Sequence, residues 1–279
     1  MRAENNTPAR APLDAAALRS RAVRPDGLWR EIEVVDGTGS TNADLLARAQ
    51  QGEAEGTVLA AEEQRAGRGR MGRTWVSPPY AALTFSLLIR PDVPPARRGW
   101  LPLLTGVAVA AAVTRATGVE TGLKWPNDLL AADAKLAGIL AEAVGDAVVV
   151  GIGLNVSTDP AELTRLPASP GRGALPATSL RAAGATAPNR EDILLAILEG
   201  FERWYRAWQQ AGGDPDRSGL RPEYTRLSAT IGRTVRAELP GGQALSGPAV
   251  GVDSDGRLLV RVSSGSEVAV AAGDVVHLR

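Results

Sequence analysis

Residues 62–77 read Glu-Glu-Gln-Arg-Ala-Gly-Arg-Gly-Arg-Met-Gly-Arg-Thr-Trp-Val-Ser, and the fold turns on how this stretch is taken. Gly67, Gly69 and Gly72 satisfy the G-x-G-x-x-G spacing of dinucleotide-binding folds, in which the loop follows a strand and opens a helix whose N-terminus holds a pyrophosphate. A strand is expected before the loop, over Thr57 to Glu63. After it come Trp75-Val76-Ser77-Pro78-Pro79 and a second strand-like run, Ala82 to Ile89. No helix is available to lend its dipole, so the order is strand, loop, strand and not a Rossmann turn. What remains is Arg68, Arg70 and Arg73 interleaved with glycines and closed by Trp75. Glycine lets backbone lie close to a ligand, and arginine offers a planar fork of donors for carboxylate or phosphate. The stretch reads as an anion-wrapping loop, expected to order around a bound anion.

Upstream, Trp29 to Val35 alternates Ile32 and Val34 with charged neighbours and reads as a strand. A helix follows, with Thr41 and Asp44 at capping-box spacing, Leu45 and Leu46 on its apolar side and Gly52 as its stop. Ser40, Thr41 and Asn42 stand at its entrance; one suffices as a cap, which leaves two for a ligand's hydrogen bonds. Residues 1–27 are polar and lack the apolar core of a signal peptide, so a disordered lead-in and a cytoplasmic location are expected.

Downstream, a helix is expected from Arg98 to Thr117, ended by Gly118. Its apolar stretch Leu101 to Val113 is too short for a bilayer, which needs roughly 20 residues. Thr121 to Trp125 reads as a strand entering a turn at Pro126-Asn127-Asp128, with a return strand over Lys135 to Glu142. Ala147 to Ile152 is an apolar strand leading into Gly151-x-Gly153-x-Asn155. Ser157 to Pro188 is an irregular connection, and a helix capped by Asn189 runs from Arg190 to Gln210. Leu194, Ile197, Leu198, Phe201, Tyr205 and Trp208 share one of its faces, so Trp204 and Trp208 read as core and not as a binding box. From Ile231 onward, about 45 residues form five short strands separated by turns, one of them at Pro240-Gly241-Gly242, which suits a small SH3-like β-barrel. The expected fold is α+β: a mixed sheet packed with helices over 28–230, plus the small barrel over 231–279.

Composition narrows the chemistry. The chain of 279 residues has no cysteine and a single histidine, His277, which excludes disulfides, thiolate metal sites and cysteine nucleophiles and leaves no basis for a Ser-His-Asp triad. Thirty-one Lys+Arg balance 31 Asp+Glu, and no basic stripe stands out, which argues against nucleic acid as a partner. Catalysis is left to lysine, arginine, carboxylates and Mg²⁺.

Five motifs then fall into one order and spacing between Glu31 and Val156: Ser40-Thr41-Asn42; Gln64 to Arg73 with Trp75; Lys124 to Asp128; Lys135 to Leu140; and Gly151 to Asn155. In this the chain resembles the biotin protein ligases. About 28 residues precede the first strand, with no helix-turn-helix among them, so the resemblance is to the monofunctional type without a DNA-binding domain.

The resemblance implies a biotin/lipoate ligase-like catalytic domain and ATP-dependent biotinylation of a lysine through biotinyl-5′-AMP. It implies that Ser40, Thr41 and Asn42 bond the ureido head of biotin beside Gln64, that Arg68, Gly69 and Arg70 fold over the biotin carboxylate and the ATP phosphates, and that Arg73 also binds the ATP or adenylate. Trp75 would stack near the adenine or shield the adenylate. Lys135 would contact the carboxylate and the α-phosphate, while Gly138 and Ile139 line the biotin pocket. Asn127 would contact the nucleotide, Asp128 would face the incoming lysine, and Gly151, Gly153 and Asn155 would border the adenosine. Lys135, Arg70, Arg68 and Asp128 are thus the expected catalytic set, with ATP and Mg²⁺ required, the metal carried on ATP phosphates and not by protein ligands. The implied acceptor is the biotin carboxyl carrier domain of a carboxylase; no membrane partner is expected, and the enzyme would be a monomer or weak homodimer. Lipoate and octanoate ligases share this logic, and a nucleotide- or nucleic-acid-binding module using the arginine loop is the alternative from another class.

Overall fold

The computed structural model describes residues 10–165, 175–239, 244–271 and 273–278. The first element is helix α1 (Ala15–Ala22), capped by the Asp14 carboxylate, which accepts from the Ala16 and Ala17 amides. This corrects the expected lead-in: residues 10–27 are folded onto the domain, and residues 1–9 lie outside the described residues. The local composition is polar, but Leu13 and Leu18 are buried in the main core and Arg19 donates to the Ile32 carbonyl.

The chain then alternates β1 (Glu31–Val35), α2 (Thr41–Gln50), β2 (Thr57–Ala61), β3 (Ala82–Ile89), α3 (Leu101–Thr117), β4 (Gly122–Lys124), β5 (Asp128–Ala131), β6 (Ala134–Val144) and β7 (Ala147–Asn155). These seven strands form one sheet in the order β1-β2-β3-β7-β6-β5-β4, in which β1 and β2 pair parallel and every other pair is antiparallel. The strand expected to return directly from the Pro126 turn is preceded by the short β5, so the segment is a three-stranded meander. A tight turn with Ala132 in the left-handed region joins β5 to β6. Alternation assigns the two faces. Phe85, Leu87, Val148, Val150 and Ile152 point into the core under α3 and α5 (Arg190–Gln210), whereas Leu88, Ala147 and Val149 point the other way, against Leu45 and Ala49 of α2.

With the 3-10 turn before it, α3 spans Pro95–Thr117, 23 residues, so it is long and apolar enough to cross a bilayer where the sequence reading put it short. It is the core helix of this fold: Leu104, Thr105, Val107, Val109 and Val113 are fully buried against α5 and the sheet. Its stop is Gly118, left-handed at φ 72°. Two further helices escaped the sequence reading. One is the single turn α4 (Pro160–Leu163), and the other is α6 (Leu220–Leu227), whose Pro222 sits in the first turn, where the missing N–H costs nothing. The helix face expected on α5 is buried as a set, and Trp208 is fully buried while Trp204 is only partly so.

The C-terminal unit comprises β8 (Thr234–Glu238), β9 (Ala244–Val252), β10 (Leu258–Arg261), β11 (Glu267–Val270) and β12 (Asp274–His277), an antiparallel sheet ordered β11-β10-β9-β8-β12. The turn expected at Pro240-Gly241-Gly242 lies outside the described residues. This unit docks through polar tips of buried rings: Trp100 Nε1 donates to the Asp253 carbonyl at 3.1 Å and Trp125 Nε1 to the Gly256 carbonyl at 3.0 Å. The Lys124-to-Asp128 segment, which joins β4 to β5, is thereby tied to the C-terminal unit.

Candidate active site

Beyond the N-terminal end of α2, among the described residues no helix packs onto the face of the sheet on which α2 lies. Gly151, Gly153 and Asn155 continue the α2-facing parity of β7, with Ser86, Thr84 and Ala82 opposite them on β3 and Leu140 and Gly138 opposite Gly151 and Gly153 on β6. This bare strip floors a cavity of about 760 Å³. Its roof is the β2–β3 loop, and its far wall is α4 with residues 175–178.

All seventeen residues nominated from the sequence line this one cavity: Ser40, Thr41, Asn42, Gln64, Arg68, Gly69, Arg70, Arg73, Trp75, Asn127, Asp128, Lys135, Gly138, Ile139, Gly151, Gly153 and Asn155. Spaced two residues apart along β7, the floor positions stand about 6.6 Å from one another and give the cavity a long axis.

At the Gly151 end stands α2. Its cap is Ser40, whose Oγ accepts from the Ala43 amide at 3.4 Å, and not the Thr41–Asp44 box. The two remaining side chains are not idle. Thr41 Oγ1 lies 2.7 Å from Ser86 Oγ and donates to Gln64 Oε1 at 3.0 Å; Asn42 Nδ2 donates to the Leu140 carbonyl and to Glu142 Oε2 at 2.8 Å, and its Oδ1 accepts from Ser86. A Cβ at Gly151 would collide with the Asn42 amide, so only glycine lets this network lie against the strand.

The Gly153 row is the charged middle. The Trp75 indole covers Gly153, where a Cβ would come within 2.3 Å of the ring and collide with it. Lys135 Nζ contacts Asp128 Oδ1 at 2.7 Å. Three arginines descend from the loop to three different elements: Arg68 to Glu142 of β6 at 3.3 Å, Arg70 to Asn127 Oδ1 at 3.3 Å, and Arg73 to Asp274 of β12. The loop turns at Met71, left-handed at φ 56° and 69% exposed. Burial holds the Arg70 guanidinium below the ordinary arginine range, opposed by Asp274 and Asp128. Lys124, in the strand behind Asp128, is likewise held below the usual lysine range by burial, against the pull of Asp128.

At the Asn155 end, Asn155 Nδ2 donates to the Thr178 carbonyl at 2.9 Å, and Pro160, Leu163 and Thr164 of α4 and the residue after it close the wall. Asn155 Oδ1 and Trp75 Nε1 are buried polar atoms without a hydrogen-bond partner among the described residues, groups that a bound ligand or water would satisfy. Among the described lining residues, four cations (Arg68, Arg70, Arg73, Lys135) face one carboxylate, Asp128. The cavity therefore suits an elongated ligand, uncharged and polar at one end and anionic in the middle.

Five participants were not nominated from sequence. Ser86 had a visible signal, a lone hydroxyl in an apolar strand, and Ala177-Thr178-Ser179-Leu180 resembled a family segment near the substrate cleft without being specific enough to nominate. Glu142 and Asp274 had none, because their partners lie far along the chain. Lys124 was inside a quoted motif but was given no role.

Residues 34–159 match the model of the biotin/lipoate A/B protein ligase family, and residues 230–278 match the biotin protein ligase C-terminal domain. The biotin–[acetyl-CoA-carboxylase] ligase of Mycobacterium tuberculosis is 46% identical over 275 residues, covering 97% of both chains. The chain belongs to the biotin protein ligase family. Within that family, the bifunctional ligase/repressor BirA of Bacillus subtilis is 34% identical over 84% of this chain and 69% of its own length. The solved biotin protein ligase from Aquifex aeolicus in complex with biotin and ATP superposes with a TM-score of 0.70 at 25% identity, over 90% of this chain and all of that one. The biotin protein ligase fold thus accounts for both sheets.

Proposed function

We propose that the chain catalyses ATP-dependent biotinylation of a lysine on a biotin carrier protein through biotinyl-5′-AMP, releasing pyrophosphate first and AMP second. The observation that carries this reading is the order of groups along β7: a neutral hydrogen-bonding end at Gly151, a cationic middle at Gly153 and a polar wall at Asn155. The ureido head of biotin fits the first against Ser40, Thr41 and Asn42, its carboxylate the second, and the adenosine the third.

In the first half-reaction a carboxylate oxygen attacks the α-phosphorus and the bond to pyrophosphate breaks. Two anions must meet, so the barrier is largely electrostatic, and Arg68, Arg70 and Lys135 supply fixed positive charge where it develops. In the second, a lysine amine attacks the acyl carbon and AMP leaves. The amine must lose a proton against a reference pKa near 10.4. Asp128, lining the cavity and already beside the Lys135 ammonium, orients the incoming ammonium or accepts its proton. The mixed anhydride is hydrolysable, and the arginine loop with Trp75 keeps water from it.

Among the described residues no group of three or more His, Cys, Asp or Glu gathers, and the lining carboxylate Asp128 is paired with Lys135. Mg²⁺ is accordingly assigned to the ATP phosphates and not to a protein cage. The acceptor is the carrier domain of a biotin-dependent carboxylase, the setting cytoplasmic, and the enzyme a monomer or weak homodimer. Neither nucleic acid nor membrane takes part.

The test is radiolabelled pyrophosphate exchange into ATP with Mg²⁺, comparing biotin, lipoate and octanoate. Exchange with biotin alone is expected. Exchange driven by lipoate or octanoate would reassign the substrate, and none with any acid from folded protein would leave only a binding module.

A further inference from the structure

The segment before α1 has no part in the chemistry above, yet it carries charge-assisted contacts to the cavity's outer wall. Arg10 Nη2 donates to Glu162 Oε2 at 2.5 Å and to the Ser157 carbonyl at 3.1 Å, and its Nη1 donates to Glu162 Oε1 at 3.3 Å. Glu162 belongs to α4 and also accepts from the Asp159 amide at 2.9 Å. The same chain segment is fixed from its other side. The Leu13 amide donates to Glu62 Oε1 at 2.6 Å, and Arg190 donates to the Ala11 carbonyl at 2.5 Å. Glu62 and Arg190 are themselves a buried ion pair at 2.5 Å. Residues 10–13 therefore strap α4 to the point where β2 enters the arginine loop, two residues before Gln64.

A single helical turn has no stability of its own, because nucleation costs more than one turn of hydrogen bonds returns. Where α4 stands is decided by what holds it: Arg181 on Asp159 at 3.0 Å and the two-pronged Arg10 contact on Glu162. A fork–fork arginine contact fixes orientation as well as distance. Pro160, Leu163 and Thr164 then face the Asn155 end of the cavity. We infer that Arg10 is a positioning residue for the nucleotide end of this site: it sets the α4 wall from a segment more than 140 residues away in sequence. The inference rests on the reading that adenosine occupies that end.

The test is calorimetric titration of α,β-methylene-ATP into biotin-saturated protein, for wild type, Arg10→Ala, Arg10→Lys and Glu162→Gln, beside biotin titration without nucleotide. Arg10→Ala and Glu162→Gln should each weaken the analogue about tenfold, the scale of losing one charge-assisted hydrogen bond. Biotin affinity should stay within about twofold, since the Gly151 end is remote from α4. Arg10→Lys, which keeps the charge but not the fork, should recover part of the loss. An analogue affinity unchanged in both Arg10→Ala and Glu162→Gln overturns the inference, as does an equal loss of biotin and analogue affinity. Wild-type pyrophosphate exchange, run in parallel, separates the two readings. Its absence removes adenylation while the titrations still decide the clamp, and its presence with unchanged analogue affinity removes the clamp alone.

Discussion

The floor and the roof of the cavity are built on opposite physical terms. The floor is glycine-lined strand with a buried network through Thr41, Ser86 and Asn42, every member of which has more than one partner, and half-buried Glu142 links Asn42 to Arg68 of the roof. The roof is a loop whose partly exposed arginines reach three separate segments, Arg68 to Glu142, Arg70 to Asn127 and Arg73 to Asp274, with Arg73 also touching Met71. The two ion pairs among these, Arg68–Glu142 and Arg73–Asp274, are of the partly exposed kind worth about 0–1 kcal/mol each. A shape that must recognise a neutral polar group needs fixed donors and acceptors, so it is packed. On the proposed reading, a cover that admits a polyanion and later lets go of its product needs charge that exchanges partners cheaply, which weak links supply.

Four changes would break or sharpen this contrast. The largest effect is expected for Lys135→Ala, whose ammonium stands between floor and roof: pyrophosphate exchange should fall by at least about 10²-fold, the scale of removing one transition-state charge partner. Near-wild-type exchange would take Lys135 out of the chemistry. Next, Gly151→Ala forces a methyl into the Asn42 amide, and overpacking of this kind costs about 1–3 kcal/mol. Chemical denaturation should show that loss together with weaker biotin binding; an unchanged midpoint would mean that the floor is softer than its hydrogen bonds suggest. In the roof, Arg70→Gly should cost about 0.5–1.5 kcal/mol of stability, the scale of its one hydrogen bond to Asn127, yet speed escape of biotinyl-5′-AMP about tenfold, read by trapping the released adenylate. An equal release rate in the variant would count against the loop as a cover.

The smallest effect concerns the joint between the sheets. Burial, with Lys124 and Arg233 adding repulsion, lowers the His277 imidazole from 6.5 to about 4, and its Nε2 lies 3.0 Å from Thr230 Oγ1. The unfolded chain then binds more protons than the folded one between those values, so this contribution is complete above about pH 6.5 and is lost as pH falls toward 4. His277→Gln should flatten the acid side of the stability curve in that window while leaving the plateau above it nearly level. An unaltered slope in urea titrations from pH 4 to 6.5 would assign it to the carboxylates.

Much of the fold was legible because its signals are local. The ends of β3 and α5, the Asn189 cap and the Gly118 stop follow from hydrophobic period and capping chemistry within a few residues, and the structure places them as the pattern does. The nominated residues were legible as types in an order, and the register of β3, β7 and β6 puts Gly138, Gly151, Gly153 and Asn155 on one strip of one sheet face, the floor of the cavity that the others line. The misses also share a cause. The helix α1 has almost no amphipathic pattern of its own and is held by Leu18, Arg19 and the Asp14 amide on Glu191, whose partners are distant in sequence. The short β5 hides inside a turn motif, and α6 hides behind Pro222.

The sequence by itself determined that an arginine-glycine loop joins two strands without a following helix, that polar triplets and glycines recur in the spacing of biotin protein ligases, and that no thiol or triad chemistry is available. Only the tertiary structure decided that Ser40 and not Thr41 is the cap, that Glu142 and Asp274 anchor the roof, and that Arg10 reaches α4. Caps, turns and periods are set by backbone geometry within one or two turns of chain and leave a mark in the local pattern. The partner of a charge or an amide across 70 to 200 residues is chosen by which strands become neighbours, and no local pattern encodes that.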